Sequence, residues 1–270
     1  MLELLQYEFF RNAVFAALLA SVACGIVGVY VVVNRIVFLS DGISHAAFGG
    51  IGIGYFLGLN PIYSAIAFSI AVAVGVGATS KKLGAREDTV IGVVWALGMA
   101  IGIVFIKLTP GYVPDLFSYL FGNILTVPRS DLTVMLVLDI ILLLTVSLLF
   151  KELLAISFDR EFAQTLRVPV NLIHYILLTL VSFTVVMLIR VVGVILVMAL
   201  LTIPAAVSEL FSKRVIHMMF GATLLSLVFT VTGLWLSYVT NLPSGATIVI
   251  LAAAIFFLTI LYSRGRKGLD

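Results

Sequence analysis

Apolar runs follow one another from residue 12 to residue 262, parted only by brief polar breaks. The hydrocarbon core of a bilayer takes about 20 helical residues to cross. Runs near that length fall at roughly 12–34, 36–58, 61–79, 89–107, 131–150, 171–190, 192–211, 215–239 and 243–262. Every backbone polar group in hydrocarbon must be paired within its own segment, so each run predicts a helix. The short alternating strands of a membrane barrel do not occur in the pattern. The expected fold class is all-α: a polytopic helical membrane protein of eight or nine transmembrane helices in a single domain, 1–270.

The breaks are chemically distinct. Asn60-Pro61 parts the second and third runs, and the polar stretch from Lys81 to Asp88 parts the third and fourth. Thr109-Pro110-Gly111 ends the fourth, Ser212-Lys213-Arg214 parts the seventh and eighth, and Asn241 to Gly245 parts the last two. Residues 112–127 include Tyr112, Pro114, Asp115 and Asn123, and their mixed character predicts an interfacial or re-entrant helix. Ser21-Val22-Ala23-Cys24 resembles a lipoprotein cleavage site. Ser21 stands where an aliphatic residue is usual, however, and Glu3 and Glu8 precede the run. The first run is therefore expected to remain as a helix.

Composition sharpens this picture. Hydrophobic residues make up 62% of the chain and charged residues 11%, against about 25% charged in a soluble domain. No basic patch with interleaved aromatics accompanies the net charge of +3, which argues against nucleic acid as a partner. Cys24 is the single cysteine and cannot form an internal disulfide. Cytoplasmic loops carry the excess of Lys and Arg. With nine spans and the carboxyl terminus inside, the inner side holds Arg35, Lys81, Lys82, Arg86, Lys151, Arg160, Arg167, Lys213, Arg214, Arg264, Arg266 and Lys267. The outer side keeps only Arg11, Lys107, Arg129 and Arg190. That asymmetry predicts a cytoplasmic carboxyl terminus and an outer amino terminus.

Candidate chemistry begins in the second run, Leu39-Ser40-Asp41-Gly42-Ile43-Ser44-His45-Ala46. Asp41 and His45 are four apart and share one helix face. Ionisable groups in a span cost about 2.5–3.5 kcal/mol on insertion scales and mark functional paths. Carboxylate with imidazole suits zinc, manganese or ferrous iron. The plainer alternative is that Asp41 caps the helix and His45 is merely hydrogen-bonded. Ala46, Gly50, Gly54 and Gly58 form a small-residue stripe that invites close helix approach, possible also between two copies of the chain.

A second polar stretch runs from Ser157 to Pro169. Phe158, Phe162 and Leu166 recur every four residues among Asp159, Arg160, Glu161 and Arg167. The pattern predicts an amphipathic helix over 158–168 that docks on a partner or lies on the lipid surface. In the seventh run, Pro204 is expected to break or kink the helix, with Thr202 and Ser208 satisfying freed carbonyls and Glu209 ending the span. Asp139 lies deep in the fifth run without an evident role. His174 and His217 sit near inner helix ends, and Arg190 at an outer end. The chain has no phosphate-binding Gly-x-x-x-x-Gly-Lys-Ser/Thr and no His-Glu-x-x-His, and no nucleophile–base constellation appears in the spans.

Together these stretches resemble the permease subunit of bacterial zinc/manganese/iron ABC importers, the ABC-3 metal transporter permeases. Leu39 to Ala46 resembles that family's Asp-x-x-x-His helix, and Phe158 to Ala163 its ATPase-docking loop. Gly193 to Val197, on to Ile203-Pro204-Ala205-Ala206, is similar to its late broken helix. Arg160 departs from the expected Pro or uncharged residue, and Arg167 from the usual small one. The resemblance implies a type II-like ABC importer permease, multi-pass in the bacterial cytoplasmic membrane and not itself an enzyme. Two copies would form the path, an ABC ATPase dimer would bind below, and an extracytoplasmic metal-binding protein would deliver the ion. Asp41 and His45 would then be transient metal ligands. Phe158, Asp159, Glu161, Phe162 and Leu166 would dock the ATPase, and Pro204 would mark the helix break. No permanently bound cofactor is implied, only a transported divalent ion. A permease for cobalamin or a siderophore, and a stand-alone secondary transporter, are the competing expectations.

The topology is testable with single cysteines placed at Ala85 and at Gly268 in a Cys24→Ala background. Both are expected to resist an impermeant thiol reagent applied to intact cells, and rapid labelling of both would invert the orientation.

Overall fold

A computed structural model of the chain describes residues 6–83, 87–110, 122 and 124–267. Every regular element among them is helical. In order they are α1 (Glu8–Val33), α2 (Val37–Phe56), α3 (Pro61–Leu83) and α4 (Glu87–Leu108), then a 3-10 turn at Ile124–Thr126. There follow α5 (Arg129–Leu148), α6 (Phe150–Phe158), α7 (Arg160–Thr165), α8 (Val170–Phe211), α9 (Val215–Thr240) and α10 (Ser244–Lys267). Most of the expected interfacial helix at 112–127 lies outside the described residues.

Among the described residues eight helical segments are long and apolar enough to cross a membrane, and α8 supplies two of them, Val170–Ile189 and Val192–Phe211. The ninth expected span, α2, is absent from that set. Asp41, His45, two serines and five glycines dilute its hydropathy. It is nevertheless heavily buried, with every residue from Leu39 to Ile51 except His45 lying in the core. A helix enclosed by other helices meets little lipid, so it need not be apolar throughout.

The chain divides into two compact units. One comprises Val33–Leu116 and Ile140–Met187. Here α2 packs on both α3 and α4. Glycine costs about 1 kcal/mol relative to alanine inside a helix, so α2 depends on this packing. The α2–α4 contact runs in parallel register: Gly42 meets Ile91, Ala46 meets Gly98, and Phe48 meets Gly102. A Cβ on Gly98 would stand 2.5 Å from the Cα of Ala46, and one on Gly102 would stand 2.5 Å from the carbonyl oxygen of Phe48. The two glycines, four apart on α4, let the backbones touch. On the other side Gly50 and Gly54 abut Ala65, Ser64 and Pro61 of α3. The stripe Ala46/Gly50/Gly54 is thus filled by this chain's own helices and does not lie open for a second copy. Gly58 falls beyond α2, at φ 67, with nothing near it. Helix α3 opens at Pro61, where Asn60 Oδ1 accepts from the Ile62 amide at 2.9 Å, a side-chain cap ahead of a proline-started helix.

The other unit comprises Met1–Val32, Phe117–Asp139 and Leu188–Asp270. Its α1 approaches Thr223 of α9 through Gly25 and the Leu201 carbonyl of α8 through Gly28. Helix α9 ends on Asn241 in the left-handed conformation at φ 54, which closes the helix before Pro243. The expectation for Pro204 needs correction. The backbone stays helical through Pro204, and the non-helical residue inside α8 is Gly193, at φ 77 and ψ 162. Only glycine adopts that conformation without strain, whereas proline's φ is already helical and it forfeits a single hydrogen bond. Thr202 Oγ1 donates to the Met198 carbonyl at 2.6 Å, and Ser208 Oγ donates to the Met218 carbonyl at 3.0 Å. Neither reaches the Leu200 carbonyl that Pro204 leaves free. Glu209 is exposed at the end of the span, as expected.

The glycine contact makes a mutational prediction. Gly102→Leu is expected to force α4 from α2 and cost about 1–3 kcal/mol, the usual range for overpacking, seen as a lower Tm in detergent. Gly92→Leu, where a Cβ has open space, is expected to leave Tm unchanged. Equal behaviour of the two variants would remove the α2–α4 contact from the supports of the fold.

Candidate metal-ion site

Helix α2 begins at Val37 after Ile36, with no side-chain cap. Asp41 therefore lies a full turn inside the helix, and the alternative that it serves as a cap fails. Its residue is 7% exposed, and one turn later the His45 ring lies on the same face. His45 Nε2 stands 3.6 Å from Asp41 Oδ1. That separation is too long for a hydrogen bond. It suits two donors sharing one ion: ligand distances of about 2.0–2.2 Å at tetrahedral or octahedral angles set donors about 3–3.6 Å apart. The neighbouring hydroxyls are already engaged, since Ser40 Oγ donates to the Val37 carbonyl at 2.7 Å and Ser44 Oγ to the Ser40 carbonyl at 2.9 Å. Among the described residues no three His, Cys, Asp or Glu side chains gather in one place. Among the described residues, Asp41 and His45 are thus a pair of candidate donors with no third such side chain beside them.

Trp95 of α4, unremarked in the sequence, stacks on His45 with ring centroids 4.3 Å apart and planes 20° apart. The stack sits between the Gly42–Ile91 and Ala46–Gly98 contacts. A tryptophan in mid-span, three residues before Gly98-x-x-x-Gly102, was the available signal. Spans usually carry tryptophan at their interfacial ends.

The inner stretch is built differently from the single helix expected. Asp159 is extended, at φ −150 and ψ 102, so Phe158 closes α6 and a separate six-residue α7 begins at Arg160. Asp159 Oδ1 accepts from the Phe162 amide at 2.9 Å, an N-cap strong enough to restart the chain as a new helix. Phe158, Phe162 and Leu166 are 68%, 59% and 59% exposed, while Ala163 is fully buried beneath them. Glu161 is exposed in the first turn of α7. Arg160 lies 3.4 Å from His174 Nδ1, so His174 is a contact of this loop. Arg167 closes the loop at φ 59, a conformation that suits small residues better. Asn34, in the turn just before α2, donates to Ser157 Oγ at 2.8 Å. The last turn of α6 is thus joined to the turn that leads into α2.

Other polar candidates divide cleanly. Asp139 is 3% exposed, and both its carboxyl oxygens are buried without a hydrogen-bond partner. His217 is exposed.

Comparison with known proteins converges on one family. The chain is 48% identical over 264 residues to an uncharacterized membrane protein of Synechocystis sp., covering 98% of this chain and 94% of that one. It is 35% identical over 260 residues to the manganese transport system membrane protein MntC of Listeria monocytogenes, covering 96% and 92%. Among solved structures it matches a chain of PsaBC from Streptococcus pneumoniae in complex with Fab, with a TM-score of 0.87 at 32% identity, covering 96% of this chain and 93% of that one. The model of the ABC 3 transport family matches residues 6–263, and this multi-pass membrane protein belongs to that family.

Proposed function

We propose that the chain is the membrane path of an ATP-driven importer of divalent transition metal ions, and that Asp41 and His45 are its transient ligands. The observation that carries this reading is the 3.6 Å separation of Asp41 Oδ1 and His45 Nε2 on one helix face, a spacing fit for one shared ion. The manganese transport named for the Listeria relative supports a metal as cargo and makes manganese the first ion to test. A carboxylate–imidazole pair without thiolate suits manganese as well as zinc or iron. The ion is cargo, and a path that must empty again holds it only transiently.

The power source is a separate ABC ATPase. The exposed Phe158, Phe162 and Leu166 form an apolar face beside the Asp159 cap and Glu161, suited to a groove on such a partner. Motion of that loop reaches the ion site through Ser157 and Asn34, which stand at its two ends of contact with the turn before α2. An extracytoplasmic binding protein delivers the ion from the outer side, and a second copy of the chain supplies a second Asp41/His45 pair. The carboxyl terminus faces the cytoplasm with the loop.

Two experiments test this. Asp41→Asn and His45→Ala are each expected to abolish most manganese uptake by proteoliposomes holding equal amounts of assembled complex. Near-normal transport by both would refute the ion site. Uptake is also expected to fall at acid pH, because protonated imidazole cannot coordinate. Phe162→Asp is expected to abolish co-purification of the ATPase or uncouple hydrolysis from transport, and unchanged assembly with unchanged coupling would remove α7 from the interface.

A further inference from the structure

We propose that Trp95 is the positioning residue of the ion site: its indole holds the His45 ring in the plane that presents Nε2 to the ion, replacing the hydrogen bond that ordinarily orients a metal-binding imidazole. The inference rests on the Asp41/His45 reading above.

Metal-binding histidines commonly donate their second ring N–H to a carboxylate or carbonyl, which fixes both tautomer and ring orientation. His45 lacks this support. Its Nε2 faces Asp41 Oδ1, while Nδ1 is buried with no hydrogen-bond partner. What fixes the ring is a face: the Trp95 indole lies at 4.3 Å and nearly parallel. That face is held in place, because α2 and α4 are in contact on either side of it. Gly98 seats α4 against Ala46, and Ile91 fills the space over Gly42.

Two chemical consequences follow. With Nε2 given to the ion, the ring proton sits on Nδ1 and finds no acceptor. An unsatisfied buried N–H opposes binding, which keeps affinity low, as a path that must release its ion requires. The indole face carries the negative end of the ring quadrupole. It therefore favours the imidazole when metal coordination draws charge from it. Stacking orients the ligand without strengthening its basicity as a hydrogen-bonded carboxylate would.

Trp95 also supplies its own readout, since Trp235 is the only other tryptophan in the chain. In the full-length chain carrying Trp235→Phe, manganese(II) chloride is expected to quench Trp95 emission saturably, and a further His45→Ala change is expected to remove the quenching. Absence of saturable quenching would overturn the assignment even if no Trp95 variant folded. In reconstituted complex, Trp95→Leu is expected to raise the KM for manganese about 10–100-fold, the range for losing a group that orients a metal ligand. The maximal rate is expected to change far less, and Trp95→Phe, which keeps an aromatic face, is expected to recover most of the loss. If Asp41→Asn and His45→Ala abolish transport while Trp95→Leu leaves KM unchanged, the positioning role is wrong and the ion site stands. If Asp41→Asn and His45→Ala both transport normally, the ion site itself is wrong.

Discussion

An ionisable pair inside a membrane helix has to be enclosed, and the architecture of this half of the molecule answers that requirement. Asp41 and His45 make α2 too polar to face lipid. Its five glycines make it a poor helix in isolation. Both problems have one solution: pack α3 and α4 so closely around α2 that glycine becomes the residue that fits. Gly98 and Gly102 from α4, and Gly50 and Gly54 from α2, remove the side chains that would otherwise hold the backbones apart. The chemistry of the site and the stability of the helix that carries it thus depend on the same contacts.

The same closeness shapes the site. Because α4 touches α2 at Ala46, Trp95 meets the His45 ring face to face. Because Asp41 and His45 are one turn apart, their donor atoms stand at the spacing of ligands around one ion. The hydrogen bond from Asn34 to Ser157 then links the turn before α2 to the last turn of α6, so the exposed α6–α7 loop has a short covalent and hydrogen-bonded route to Asp41 and His45.

Two kinds of helix interruption coexist, with different uses. Asp159 stops α6 and restarts the chain as α7 by capping the Phe162 amide. This leaves Phe158 and Phe162 on separate elements, both projecting outward. Gly193 interrupts α8 by adopting a dihedral pair closed to other residues. Pro204, the more conspicuous residue, is absorbed: its φ is already helical, and the surrounding turns carry the helix past the missing N–H.

Where most of the long helices run was legible in the apolar pattern alone. The length of each apolar run is set by local hydrophobicity, and α1, α3, α4, α5, α9 and α10 fall within a few residues of the runs at 12–34, 61–79, 89–107, 131–150, 215–239 and 243–262. The sequence also marked Asp41 and His45, because ionisable residues are conspicuous in apolar surroundings and a four-residue spacing fixes their shared face. What it left undecided depends on which helix faces which. The stripe Ala46/Gly50/Gly54 signalled a close contact but not its partner, and the partners proved to be α3 and α4 of the same chain. Trp95 lies fifty residues from His45, so periodicity on either helix is silent about their stacking. The break at Asp159 was hidden because a regular Phe158/Phe162/Leu166 spacing looks the same whether one helix or two carry it. Only the tertiary structure decides such matters, since each depends on distances between segments that hydrophobic patterning does not encode.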